Sequence, residues 1–269
     1  MKKKALRKDF YMEIKRSLGR FLSIFFIVAL GVSFFAGIRA AEPDMRFSAD
    51  EYFDEHHLAD LKVMSTFGIT EEDAEAIRQV EGVKKAEYGY STDAICQLED
   101  SEKVVHVMSD LPTMNQPDVL EGRMPKKDNE CFMDIDFMKM AGYKVGDTVQ
   151  LESGTEKGLD KTLKHSSYKI VGAGSSPCYI SFERGSSTIG TGEVSGFIIV
   201  TPETFLTEVY TEGLIEVEGA KQETAFTGEY DSKVEKVSEK IKEIEDVQCR
   251  RRQQEIVSEA QDKISKKQS

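Results

Sequence analysis

The chain has 269 residues, 39% of them hydrophobic and 31% charged, and it carries a net charge of −12 with no tryptophan. That length holds one large or two small domains, and the polar balance requires part of the chain to be strongly solvated. The charge is split: residues 1–20 hold eight Lys or Arg against Asp9 and Glu13, a net of +6, so the remainder carries −18. A body so acidic repels phosphate, which excludes nucleic acid as its partner, whereas a short basic arm beside an apolar run suits anionic lipid headgroups.

In the basic arm, Leu6, Phe10, Ile14 and Leu18 recur at i, i+4 spacing with Lys4, Arg7, Lys8 and Lys15 largely on other faces. This predicts a short amphipathic helix lying on the inner leaflet, with a mobile basic tail as the alternative. Residues 21–38 (FLSIFFIVALGVSFFAGI) follow, eighteen residues without a charge between Arg20 and Arg39. At about 1.5 Å per residue they extend about 27 Å, close to the hydrocarbon thickness of a bilayer. A cleaved signal peptide and a buried core helix compete with this span. The long basic region and Arg39 inside the cleavage window weigh against the first, and the polarity of the chain against the second. Only Arg39 and Arg46 follow within twenty residues, so the positive-inside rule puts the N-terminus in the cytoplasm and the body outside.

After a polar, acid-rich stretch over residues 42–60, residues 61–65 (LKVMS) read as a strand. Thr70 then reads as an N-cap followed by three acids, with Ala74, Ile77 and Val80 as the apolar face of a helix that Gly82 ends. Residues 83–90, 92–98 and 103–108 are strand-like, which makes the pattern α+β. Residues 110–129 read as a loop, 130–134 as a strand, 135–141 as a short helix and 142–147 as a turn feeding a strand at 148–151. A polar loop is expected at 153–161. Further strands are expected at 167–172, 179–182, 196–200 and 214–217. Thr201, Pro202 and Glu203 have the composition of a helix start, with Phe205, Leu206 and Val209 turned inward.

From residue 228 the chain changes character. Tyr230, Val234, Val237, Ile241 and Ile244 alternate at four and three, a heptad signature that Gln248 and Arg251 interrupt and that Val257, Ala260 and Ile264 resume weakly. Two heptads are short for a coiled coil, so this helix needs a partner, unless it is a solvated single helix. The chain closes in KISKKQS with no second span, the pattern expected of the first part of a longer protein.

Chemistry is sparse. His56 and His57 beside Asp54, Glu55 and Asp60 could hold a metal, but a solvated linker next to the membrane explains them better, and no HExxH spacing occurs. Residues 185–192 (GSSTIGTG) are glycine-rich yet lack the Gly-Lys-Ser/Thr that holds phosphate, so they read as a flexible loop. His106 and His165 have no evident nucleophile partner, and no GxSxG occurs. Cys96, Cys131, Cys178 and Cys249 form no CxxC pair, leaving one disulfide open if the body is extracytoplasmic. No catalytic, cofactor-binding or metal-ligating residue is expected, and the chain is not expected to be an enzyme.

Several segments together resemble the N-terminal part of an FtsX-like, MacB-type permease of ABC transporters. They are residues 15–23 (KRSLGRFLS), 29–35 (ALGVSFF), Asp44 with Met45, 65–70 (STFGIT), 80–83 (VEGV), 121–125 (EGRMP), 142–147 (GYKVGD), and Val171 with Gly172 leading to 176–180 (SPCYI). The resemblance spans roughly residues 5–230. It implies a cytoplasmic basic amphipathic helix at 1–20, a transmembrane helix at 21–38, an extracytoplasmic MacB-like mixed α+β domain at 39–227 and a coiled-coil helix at 228–269. It also implies three later spans, which this sequence lacks along with the second half of the domain. Such permeases have no catalytic residues and transmit motion across the membrane. The implied partners are membrane lipid, a separate cytoplasmic ABC ATPase subunit and a second permease copy. A complete single-span adaptor that binds a cell-wall or sensor partner is the alternative.

Overall fold

The computed structural model describes residues 2–98, 101–155 and 158–268, and for residues 2–4, 14, 259, 260 and 262–268 it describes the backbone alone. The side chains of Ile14, Ala260 and Ile264, and Glu156 and Lys157 of the polar loop, therefore lie outside the described residues. The chain divides into two compact units, Met1–Ala49 and Asp50–Ser269.

The first unit is helical. Helix α1 (Lys2–Arg16) ends at Ser17, and α2 runs Leu18–Glu55. None of α2 is buried, and it is the one helix among the described residues long and apolar enough to cross a membrane. Leu6 and Phe10 of the amphipathic stripe are also exposed. Pro43 sits inside α2, just past the apolar run. A proline lacks the N–H that would bond four residues back, so this turn of the helix is short of one backbone bond.

The second unit is α+β. A small antiparallel sheet has the order β1 (Leu61–Ile69), β10 (Tyr210–Val217), β2 (Val83–Gly89). Helix α3 (Glu71–Arg78) starts as its residues dictate: Thr70 accepts from the Asp73 N–H, while Asp73 accepts from the Thr70 N–H. This reciprocal capping box, with Glu71 and Glu72 in the first turn, satisfies donors that a helix start leaves open. Period-two alternation sends Leu61, Val63, Ala86, Ile215 and Val217 to one face of the sheet, where they meet Ile77 of α3. Helix α5 (Gly228–Gln268) covers the same face, and its heptad residues Tyr230, Val234, Val237, Ile241 and Ile244 all join this core. Part of the partner that α5 needs is therefore the chain's own sheet. Where the seam turns polar, Arg251 meets Asp73 at 2.8 Å and Glu72 at 2.7 Å, at the acidic start of α3.

The larger sheet has the order β5 (Asp118–Gly122), β8 (Ser167–Ser175), β6 (Glu130–Asp134), β9 (Val194–Val200), β4 (Glu102–Ser109), β3 (Ser91–Gln97), β7 (Thr148–Glu152). Because β7 also pairs with β8, six of its strands close into a barrel, which removes their free edges. Ala94, Cys96, Val105, Val107, Cys131, Met133, Tyr168 and Ile198 fill it, together with Phe137 and Met138 of α4 (Ile135–Ala141). All four cysteines are free thiols. Burial pushes Cys96 up to about 11 and Cys131 higher still, so both behave as small apolar core residues.

Three expectations for local structure fail. The loop at 110–129 contains β5, an edge strand exposed at every residue, whose sequence DVLEG has no alternation to betray it. It can lie against β8 because β8 is glycine-rich there: a Cβ on Gly174 would sit 1.8 Å from the Asp118 carbonyl oxygen. Residues 179–182 are not a strand but a loop with Ile180 and Phe182 exposed. Their composition suits a strand, but no open edge receives them, and Arg184 fixes the loop through Asp134 at 2.8 Å and the Tyr179 carbonyl at 3.2 Å. The helix expected after Thr201 is a single 3-10 turn (Pro202–Thr204). Phe205 leaves it in an extended conformation, drawn into the barrel core, while Leu206 stays exposed.

Candidate functional site

The end of α2 is tied into the second unit by a network that sequence reasoning took for a solvated linker. Its last residues close with Leu58 N–H donating to the Phe53 carbonyl at 2.9 Å, and His57 takes a left-handed φ of 50°. This is the usual way to end a helix, although glycine or asparagine fills the position more often. His56 and His57 then present their carbonyls to the loop after β4. Asn115 N–H donates to His57 and Gln116 N–H to His56, each at 2.9 Å. The His56 Nδ1 lies 2.8 Å from the Gln116 carbonyl, and the ring packs on Tyr52 with centroids 4.4 Å apart. Asn115, also at φ 50°, accepts from the Ala59 N–H at 2.9 Å. Asparagine tolerates that conformation better than other residues with a Cβ, so its place in the loop follows from the backbone the clamp requires.

The same loop is gripped from its other side by Glu87 of β2. This buried carboxylate accepts from the Thr113 N–H at 3.1 Å, the Thr113 hydroxyl at 2.7 Å and the Met114 N–H at 3.0 Å, and pairs with Lys85 at 2.7 Å. Burial works to raise its pKa, but these partners outweigh it and hold the carboxyl below its ordinary value. Gln116 knits the loop internally by donating to the Leu111 and Met114 carbonyls at 2.8 and 3.1 Å. Residues 110–117 therefore join three things: the end of α2, the small sheet and, through β4 and β5, the barrel.

A second set of ties runs from α2 to the approach to α5. Asp50 accepts from the Ala225 N–H at 2.7 Å, and Phe53 packs on Phe226 at 6.0 Å. Asp60 accepts from the Val217 N–H and from the Tyr230 hydroxyl, both at 2.7 Å. Lys221 reaches the His57 Nδ1 at 2.9 Å. Burial raises the carboxyls of Asp54 and Asp60 above their ordinary values, so these acids are held at some cost. His57 is thus a partner of a lysine, and among the described residues no group of three or more His, Cys, Asp or Glu is arranged to hold a metal.

The remaining sequence candidates have structural partners. His106 Nδ1 lies 2.7 Å from Asp93 Oδ1, and the Ser187 hydroxyl donates to Asp93 Oδ2 at 2.5 Å. Serine, histidine and aspartate thus meet, but aspartate is in the middle, so the imidazole does not face the hydroxyl it would have to activate. His165 lies 3.5 Å from Asp128. The glycine-rich segment is a turn closed on itself, with Ser187 N–H donating to the Gly192 carbonyl at 2.9 Å and Val194 N–H to Gly185 at 3.0 Å. Ile189 of this turn is buried against Val104 and Val194. Sequence reasoning missed Glu87, Asn115 and Gln116. The only available signal was the turn chemistry of Asn115-Gln116-Pro117.

No protein-family model and no curated protein matches the sequence. Among solved structures, the chain is similar to the extracellular domain of the noncanonic ABC-type transporter YknZ from Gram-positive bacteria. The match has a TM-score of 0.36 at 15% identity, over 59% of this chain and 78% of that one. It is also similar to the periplasmic region of MacB from Actinobacillus actinomycetemcomitans, with a TM-score of 0.37 at 10% identity, over 68% of this chain and 75% of that one.

Proposed function

We propose that the chain is the N-terminal portion of an FtsX-like, MacB-type permease of an ABC transporter. Residues 1–20 lie on the cytoplasmic face, 21–38 span the membrane, 39–227 form the extracytoplasmic domain, and 228–269 form a helix that extends from it. The chain itself catalyses nothing. A separate cytoplasmic ATPase supplies the work, and α2 passes it outward. The observation that carries this reading is the clamp: just past α2, the His56 and His57 carbonyls accept from the Gln116 and Asn115 N–H groups of the loop that joins both sheets, and the Ala59 N–H donates to Asn115. A passive tether needs no such grip, whereas a helix that transmits displacement does. The ordered sequence motifs support the same family.

The experiment is photocrosslinking in cells that express the full chain with a photoreactive residue at Lys8. The expected product is a crosslink to an ABC ATPase, identified by mass spectrometry. Crosslinks to lipid alone would overturn the proposal. They would favour the second reading, a membrane-anchored binding or adaptor protein, which the cleft between the two sheets supports independently.

A further inference from the structure

A cleft of about 260 Å³ lies between the polar face of the small sheet and the outer face of the barrel. Met108, Leu111, Tyr179, Ile199 and Leu214 give it an apolar wall. Part of that wall is rigid, because the Tyr179 ring stacks on Phe197 at 5.2 Å with planes 7° apart. The same lining is rich in acceptors. Glu212 is only 6% exposed, and its Oε2 takes Lys62 at 2.5 Å and the Ser91 hydroxyl at 3.4 Å. Among the described residues nothing donates to its Oε1. Asp110 accepts from the Leu111 N–H at 3.0 Å through Oδ1, and among the described residues nothing donates to its Oδ2. Burial pushes the Asp110 carboxyl upward, as it does for an acid short of partners.

His106 also lines the cleft. Burial works to raise its partner Asp93, but the bonds from His106 and Ser187 outweigh it and hold Asp93 below its ordinary value. Against two carboxylates stands a single ammonium among the residues lining the cleft, Lys62, which Glu212 already engages.

We infer that this cleft binds an organic cation, an ammonium or guanidinium group on an apolar stem, with the charge at Asp110 and Glu212 and the stem along Tyr179 and Leu214. A bare metal ion would waste the apolar wall. An anion would meet two carboxylates and find the only ammonium taken. The inference does not depend on the permease reading, because binding is measured with no ATPase present.

The test is calorimetric titration of the full chain in nanodiscs of phosphatidylcholine, which offers no net charge to the probe. Butylguanidinium represents a free cation, Nα-acetyl-arginine amide a peptide-borne one, and butyrate the matching anion. Both cations should bind and butyrate should not; whichever cation binds tighter identifies the source. Asp110→Asn should weaken cation binding about tenfold, the worth of one charge-assisted hydrogen bond. Lys62→Met should strengthen it by freeing Glu212 from its competitor, a gain that misfolding does not produce. Glu81→Gln, which removes an acid outside the cleft, should leave affinity unchanged. Absence of cation binding would overturn the inference. So would equal binding of butyrate, or affinity indifferent to both Asp110→Asn and Lys62→Met.

Discussion

Phe25, Phe26 and Phe34 in the first unit are 54 to 74% exposed, whereas Phe132, Phe137 and Phe197 in the second are 0 to 1% exposed. The residue type is the same, but the surroundings differ. In the second unit, two sheets and three helices gather apolar side chains into cores, and water drives the burial. Among the described residues the first unit has no second layer, and apolar residues cover every side of α2 over residues 21–38. Such a helix is stable where the solvent itself is apolar, because its backbone bonds are satisfied internally. In the proposed topology the change of solvent falls between the apolar run and Asp50, where α2 begins to bond to its neighbours through side chains.

Truncating a phenylalanine in each unit separates the two surroundings most strongly. Phe132→Ala should cost about 3–5 kcal/mol of stability in the full chain, read as a lowered melting temperature of the second unit. Phe26→Ala should leave that melting temperature unchanged. Equal effects would mean that α2 packs on the body as an ordinary core helix.

A smaller effect is expected at the clamp. Asn115→Ala removes the acceptor for the Ala59 N–H and puts alanine at φ 50°, at a cost of about 1–2 kcal/mol. Hydrogen exchange should quicken at Ala59 and across residues 110–117 while barrel strands stay protected. Faster exchange throughout the barrel would show a general loss of stability and no local joint.

Acids separate the two environments within the body as well. The bidentate bond from Arg123, backed by the Lys126 N–H, pushes Glu130 down to about 2 from 4.5. A folded pKa below the unfolded one gives stability that is complete above about pH 4.5 and lost as pH falls toward about 2. Glu130→Gln should flatten that part of the profile. In the clamp the sign reverses: Asp54 is raised by burial, so its charge costs stability at neutral pH and the cost fades on acidification. Asp54→Asn should therefore raise the melting temperature slightly at pH 7 and by less at pH 4. A rise that is the same at both pH values would contradict the assignment.

Elements with strong local signals were legible in the sequence. Helix α3 announces itself through Thr70 and three acids, β6 and α4 occupy the residues expected for them, and α5 follows from its heptads. What covers those heptads was not legible, because a seam facing a sheet has the same spacing as one facing another helix. Strand β5 escaped because it is exposed throughout and depends on Gly172 and Gly174, fifty residues later in the chain. The clamp escaped for a related reason. His56, Asn115 and Glu87 are unremarkable in their local contexts, and only the long-range path of the chain brings them together. The cleft likewise combines Lys62, Asp110 and Glu212 from three separate segments.

In the proposed topology α2 carries a cytoplasmic N-terminus through the membrane to a body on the outer side. Cys249 lies exposed on α5, while Cys96 and Cys131 are buried in the barrel. With Cys178→Ser in place, Cys249 is the only exposed thiol of the full chain. A membrane-impermeant maleimide should label it in intact cells to the same extent as in lysed ones. Labelling that appears only after lysis would place the body in the cytoplasm and contradict the account.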